Sequence, residues 1–247
     1  MIKDSLTGKT ALVTGSSRGI GAEIARQLAA QGATMALHYG GSRDAAEALA
    51  REIGQGAFAV QADMKDVPSI GRMFETVKER LGGLDVLIAN AGVGGGSTFT
   101  DTDEAAFDVL FDTNVRGLFF VMQNAIPLLK DAASVVTIGS VSARGAAAAR
   151  PAYSASKLAG HGLTLSLAQA LAPRGIRVNC VAPGAVDTDL IADARANPAF
   201  EQGVKAITAF GRLGKPVDIA GAVILLLQPE AGWITGQVIE ISGGLRL

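Results

Sequence analysis

Tyr153 and Lys157 stand four residues apart in a stretch of helical pattern, which puts them on one face and within reach of each other. A phenol ordinarily ionises near pH 10 and moves protons poorly at neutral pH. An ammonium ~5 Å away, at an effective dielectric near 20, favours the phenolate by about 3 kcal/mol. That is the assistance a tyrosine needs to act as a general acid or base. A second group of residues suits phosphate. Thr14-Gly15-Ser16-Ser17-Arg18-Gly19-Ile20-Gly21 lies between an aliphatic run and an amphipathic one. Glycines there permit a tight turn and close backbone approach to a pyrophosphate, and the helix that follows offers free N–H groups. The spacing is Gly-x-x-x-Gly-x-Gly, which alone also fits an ordinary strand-to-helix turn.

The elements that must position these groups show in the hydrophobic pattern. Short aliphatic or β-branched runs at 10–14, 34–39, 58–61, 86–89, 135–138, 177–181 and 238–241 alternate with amphipathic stretches at 20–30, 45–53, 67–81, 104–129, 153–172 and 217–227. Continuous apolar runs read as strands buried on both faces. Strict alternation predicts an α/β fold: one Rossmann-type, doubly wound domain over 1–247, with a seven-stranded parallel sheet and helices on both faces. No Pro- or Ser-rich linker divides the chain. The stretch 184–216 has no clear period and follows the sixth strand, on the edge where open α/β sheets bind ligands. It is expected to be a substrate lid.

Further motifs fall into this frame. Asn90-Ala91-Gly92 follows the fourth run, Asn114 lies in the long central helix, and Ser140 ends the fifth run, thirteen residues before Tyr153. Tyr153-Ser154-Ala155-Ser156-Lys157 opens the next helix, and Pro183-Gly184 with Thr188 follows the sixth run. Together, from Thr10 to Gly244, these residues resemble the single-domain short-chain dehydrogenases/reductases. The look is closest to the bacterial 3-oxoacyl-[acyl-carrier-protein] reductases, through Ala182-Pro183-Gly184-Ala185-Val186-Asp187-Thr188 and Gly211-Arg212-Leu213-Gly214. The resemblance implies a nicotinamide-dependent oxidoreductase of carbonyls or secondary alcohols, with a 3-oxoacyl thioester among the candidate substrates. It implies that Tyr153 moves the proton of the substrate oxygen and that Ser140 orients and polarises that oxygen. Lys157 also holds the nicotinamide ribose, and Asn114 keeps a water that relays protons to Lys157. It assigns cofactor contacts to Gly15, Ser17, Arg18, Gly19, Ile20, Gly21, Tyr39, Ser42, Arg43, Asp63 (at the adenine), Met64, Asn90, Ala91, Gly92, Pro183, Gly184, Val186 and Thr188, besides Tyr153 and Lys157. It also implies a homotetramer built through the two long helices and through the last strand with its preceding helix.

The expected cofactor is NADP(H) rather than NAD(H). An NAD site places an acid about 20 residues past the glycines, on the ribose hydroxyls. Here the second run ends Leu37-His38-Tyr39-Gly40-Gly41-Ser42-Arg43, with Tyr39 at that place. Arg18 and Arg43, with the hydroxyl of Ser42, can receive a 2′-phosphate. Asp44 is the rival candidate for the acid. The spacing Asp44-Ala45-Ala46-Glu47 instead predicts a helix N-cap with a capping box.

Composition narrows the rest. Hydrophobic residues make up 49% and charged residues 18%, with a mean hydropathy of +0.32, which excludes a disordered chain. Lys and Arg number 22 against 23 Asp and Glu, so no basic excess points to a nucleic-acid partner. Cys180 is the sole cysteine, which fits a reducing cytoplasm. The first residues lack the apolar core of a signal peptide, and no run is long and apolar enough to predict a membrane span. His38, His161 and Cys180 lack ligand spacing, so no metal is expected. An acyl carrier protein is a weakly supported partner: Lys130 is the one basic residue in 126–133, with Arg174 at the other basic position. Arg144 and Arg150 flank the alanine cluster 146–149 and read as solvated side chains or as contacts for an anionic substrate. The competing class is a non-catalytic dinucleotide sensor of the same fold, against which Asn114, Ser140, Tyr153 and Lys157 together argue.

Overall fold

Residues 11–13 and 35–37, aliphatic throughout, are fully buried, as strands covered on both faces must be. They belong to β1 (Thr10–Val13) and β2 (Thr34–Tyr39). The computed structural model describes residues 5–95, 97–144 and 149–246, apart from the side chain of Asp193. Five more strands complete the sheet: β3 (Phe58–Gln61), β4 (Leu84–Ala89), β5 (Leu129–Ile138), β6 (Arg177–Pro183) and β7 (Val238–Ile241). The order is β3-β2-β1-β4-β5-β6-β7, and every neighbouring pair is parallel. The chain reverses its winding between β1 and β4, which leaves a crevice beyond their carboxyl ends.

Helices α1 (Gly19–Ala30), α2 (Arg43–Ile53) and α9 (Pro216–Leu227) cover one face through Ile24, Leu28, Leu49, Val223 and Ile224. Helices α3 (Val67–Leu81), α5 (Leu118–Ala125) and α6 (Pro151–Leu171) cover the other through Ile70, Phe74, Val121, Ala168 and Leu171. None of these helices is long and apolar enough to cross a membrane.

Three sequence expectations need correction. The helix expected over 104–129 is not continuous. α4 (Glu104–Phe111) passes into a π-helical segment, Asp112–Gly117, before α5, and Leu129 already starts β5. The wide turn has a tertiary cause: the amide of Asn114 is tied to Val93 and Ser156, and a Cβ on Gly117 would lie 2.5 Å from the Met64 carbonyl. Asp44 is not the N-cap of α2. Ser42 holds that position, and Glu47 pairs at 2.7 Å with Arg43 instead of reaching back to a cap. Finally, 184–216 is not plain loop. It contains a 3-10 turn, Asp189–Ile191, and the short helices α7 (Ala192–Arg195) and α8 (Pro198–Ala206), the last started by Pro198 and by the side chain of Asn197 on the Ala199 N–H. Residues 145–148, most of the alanine cluster, lie outside the described residues.

Candidate active site

A groove of about 1410 Å³ runs along the carboxyl edge of the sheet. At one end the chain leaves β1 through the glycine turn. Gly15 and Gly19 have φ of +63° and +57°, values that favour glycine. Gly21 faces a tighter limit, because a Cβ there would stand 2.3 Å from the Gly15 carbonyl oxygen. α1 begins without a side-chain cap, so its first N–H groups remain for a ligand. Asn90 bolts the turn from β4: its Nδ2 donates to the carbonyls of Thr14 and Gly15, both at 2.9 Å.

His38 holds the same turn from β2, a role the sequence reading missed. The Gly15 N–H donates to its Nδ1 at 2.9 Å, and Nε2 contacts the Ala62 carbonyl at 3.1 Å. Those contacts fix a neutral ring with the proton on Nε2. Burial pushes its pKa down to about 4. The clue in the sequence was a histidine inside an apolar run, which must find partners if buried. Beyond it, Asp63 lines the groove while one of its oxygens accepts from the Lys65 N–H at 2.9 Å.

The other end of the groove is built by β5 and α6. Tyr153 is buried on the first turn of α6, and Lys157 follows one turn later. The Lys157 Nζ lies 6.0 Å from the centre of the Tyr153 ring and donates to the Ile138 carbonyl at 3.1 Å. Ser140 starts the turn after β5, and its Oγ accepts from the Ser142 N–H at 3.1 Å. That contact uses a lone pair and leaves the hydroxyl hydrogen to be donated. Asn114 stands behind them. Its Oδ1 accepts from the Val93 N–H, and its Nδ2 donates to the Val93 carbonyl and to Ser156 Oγ. A cavity of about 10 Å³ between Asn114 and Lys157 is about the size of one water. A Cβ on Gly92 would press within 3.0 Å of Asn114 Oδ1 and 3.2 Å of Lys157 Nζ.

Of the residues expected at the site, Gly15, Ser17, Arg18, Gly19, Ile20, Gly21, Ser42, Asp63, Met64, Asn90, Ala91, Gly92, Ser140, Tyr153, Lys157, Pro183, Gly184, Val186 and Thr188 line this groove. Asn114 lines the small cavity behind it. Tyr39 and Arg43 are not brought to the groove wall, and Arg43 is paired with Glu47. The segment after β6 lines the groove through Thr188, Asp189, Leu190 and Ile191. Leu190 packs on the Gly94 backbone so closely that a Cβ there would be 2.9 Å away, and Asp189 reaches Arg18 at 3.7 Å. Both basic positions considered for a carrier surface are engaged in ion pairs, Lys130 with Asp85 and Arg174 with Asp131. Among the described residues, no group of three or more His, Cys, Asp or Glu side chains is placed to hold a metal.

The residues present fit a dinucleotide. The cradle at Gly15 and Gly21 admits no Cβ, and a helix start faces it. Comparison with known proteins agrees. The sequence profile of an enoyl-(acyl carrier protein) reductase family matches residues 15–246. A 3-oxoacyl-[acyl-carrier-protein] reductase of Staphylococcus aureus is 39% identical over 244 residues, covering 97% of this chain and 98% of the relative. A short-chain dehydrogenase/reductase of Serratia marcescens superposes with a TM-score of 0.93 at 37% identity, over 98% of this chain and all of the other. A short-chain dehydrogenase of Burkholderia cenocepacia, solved in complex with NADP, gives 0.91 at 38% identity, over 97% and 98% of the two chains. The chain belongs to the short-chain dehydrogenase/reductase family of oxidoreductases.

Proposed function

We propose that the protein is an NADP(H)-dependent reductase of ketones, or dehydrogenase of the corresponding secondary alcohols, with NADP(H) held along the groove from Gly15 to Thr188. The observation that carries this reading is the buried Tyr153, with Lys157 and Ser140, at the end of a groove that starts in a glycine cradle. The bound nicotinamide supplies the hydride and its electron pair to the carbonyl carbon, or takes them back in oxidation. The protein moves the proton. In reduction the Tyr153 O–H bond breaks and its proton goes to the carbonyl oxygen as the C=O π bond opens. The Ser140 hydroxyl donates to that oxygen and stabilises the charge that develops there. Lys157, anchored on the Ile138 carbonyl, keeps N–H donors for the ribose and for the water-sized cavity at Asn114, through which Tyr153 is reprotonated.

The preference for the phosphorylated cofactor rests on Arg18 and Ser42 at the groove, with Arg43 beside them and no carboxylate at Tyr39. Arg43 is now paired with Glu47 across exposed surface, a contact weak enough to exchange for a phosphate. Residues 184–216 act as the substrate lid, and the whole chain functions as one domain in the cytoplasm. Phe107, Val109 and Phe119 on α4 and α5, with Leu158 and Leu165 on α6, expose apolar surface of the kind that marks an interface. These helices are the faces of a symmetric homotetramer. Small ketones, including 3-oxoacyl thioesters, are the substrate class to test. The deciding experiment is kcat/KM with NADPH and NADH for the wild type and for Arg18→Ala with Arg43→Ala. The wild type should favour NADPH by about 10²-fold and the double variant should lose most of that. Equal efficiency with both cofactors in the wild type would refute the preference.

A further inference from the structure

We infer that Arg150 is an anion-binding residue of the substrate site, and that the natural substrate carries a carboxylate within a few bonds of its reacting carbonyl. This rests on the oxidoreductase reading above and deepens it. Arg150 lines the groove, half-buried, with its guanidinium carbon 5.4 Å from the centre of the Tyr153 ring. Its place is fixed by the start of α6: Pro151 follows it, and the Ser154 N–H donates to its carbonyl at 3.0 Å. The cation and the phenol therefore share one helical turn. Its side chain makes no capping bond, and among the described residues no carboxylate lies within ion-pair distance of it.

The charges around it are one-sided. Two carboxylates line the groove among the described residues. Asp63 is at the adenosine end, and Asp189 faces Arg18. The lining cations outnumber them: Arg18, Lys65, Arg144, Arg150, Lys157 and Arg246, of which Arg150 and Lys157 lie 5.4 and 6.0 Å from the centre of the Tyr153 ring. Arg144 is neutralised by Glu240 at 2.9 Å, but among the described residues Arg150 has no such neighbour. A half-buried guanidinium with no counter-ion among the described residues offers a ligand carboxylate a fork-shaped set of donors. The remaining wall, from Leu190, Phe200, Val204 and Ile207, is apolar and suits a carbon chain beyond the carbonyl. In the reaction the carboxylate is a spectator: no bond to it forms or breaks. It holds the carbonyl against Tyr153.

The test compares acetoacetate with its methyl ester as substrates under NADPH, in the wild type, Arg150→Gln and Arg150→Lys. The wild type should prefer the acid by at least about 10-fold in kcat/KM. Arg150→Gln should lower the acid's kcat/KM by about 10- to 10²-fold, chiefly through KM, and leave the ester within about twofold. Arg150→Lys should recover part of the loss. Preference for the ester in the wild type, or equal loss on both substrates in Arg150→Gln, overturns the assignment. Calorimetric binding of 3-hydroxybutanoate to the NADP-loaded protein decides the matter independently of turnover. Binding that Arg150→Gln weakens about 10-fold supports the subsite, whereas unchanged affinity or no binding in the wild type overturns it. Failure of every ketone and alcohol to react would sink the oxidoreductase reading while that binding result still judged Arg150.

Discussion

The two edges of the sheet treat charge in opposite ways. At the amino edge, Asp85 accepts from the Thr10 N–H and hydroxyl, both at 3.0 Å, and pairs with Lys9 at 3.1 Å and Lys130 at 2.7 Å. Burial alone would raise its pKa, but the bonds from Lys130, Thr10 and Lys9 prevail and hold it at about 2. Nearby, Arg174 pairs with Asp131 and also donates to the Ile126 carbonyl. At the carboxyl edge, Lys157 and Arg150 have no carboxylate partner among the described residues, and Ser140 keeps a hydroxyl hydrogen. Polar contacts there clamp the backbone: Asn90 and His38 on the glycine turn, Asn114 on Val93. One edge cancels its charges and holds strands in register. The other clamps its glycine turn and its π-helical segment with neutral groups and, although Arg18 and Arg144 are paired there, leaves Lys157, Arg150 and the Ser140 hydroxyl for what binds.

The largest break of this contrast should come from the carboxyl edge. Tyr153→Phe keeps the ring and removes the acid. It should lower kcat by at least about 10²-fold, with the affinity for NADPH little changed. Near-wild-type turnover would show that the proton comes from elsewhere.

The amino edge should give the reverse result. Asp85→Ala strands the Thr10 N–H and leaves two lysines facing each other, so it should cost about 2 kcal/mol in denaturant unfolding at pH 7. Its kcat/KM should stay within about twofold, because no bond of Asp85 reaches the groove. A fall in activity without a fall in stability would dissolve the distinction between the edges.

The sequence carried the fold in its alternation, and the strands at 34–39, 58–61 and 238–241 fall where the pattern puts them. The failures have tertiary causes. Residues 130–133 belong to β5 although Lys-Asp-Ala-Ala has no strand character, because Asp85 and Arg174 pin Lys130 and Asp131. In β4 and β5 the pairing slips between Leu84↔Leu129 and Val86↔Ser134, and Ala132 takes a φ of +61°. No periodicity encodes such a bulge. The π-helical turn was equally hidden, since it answers contacts from Val93, Ser156 and Met64 that are distant in sequence. At the site, Gly15, Ser140, Tyr153 and Lys157 were legible because their types and spacing are the chemistry. His38 was not, because its work is tertiary: it joins Gly15 to Ala62 across three strands.

That histidine gives the mildest and sharpest comparison of the edges, through pH. Its pKa falls from 6.5 in the unfolded chain to about 4 in the fold. Between those values the unfolded chain binds the proton and the folded one does not, so stability falls as pH falls. Going from pH 7 to about 5.5 should cost about 1 kcal/mol from this group. Asp85 contributes nothing over that interval. Its depressed pKa gives stability that is present above the ordinary aspartate range and is lost only as pH drops toward about 2. Acid should therefore loosen the carboxyl edge first and the amino edge later. In the folded protein His38 takes up its proton only near pH 4, where it can no longer accept the Gly15 N–H, so affinity for NADPH should hold between pH 7 and about 5.5 and weaken only toward that lower pH. His38→Asn should flatten the stability slope between pH 7 and 5.5 and leave the loss at lower pH in place, as read by unfolding midpoints across pH. His161, half-buried next to Lys157, has its pKa lowered by burial and by that lysine, so a slope that survives in His38→Asn would assign the pH response to α6 instead of the glycine turn.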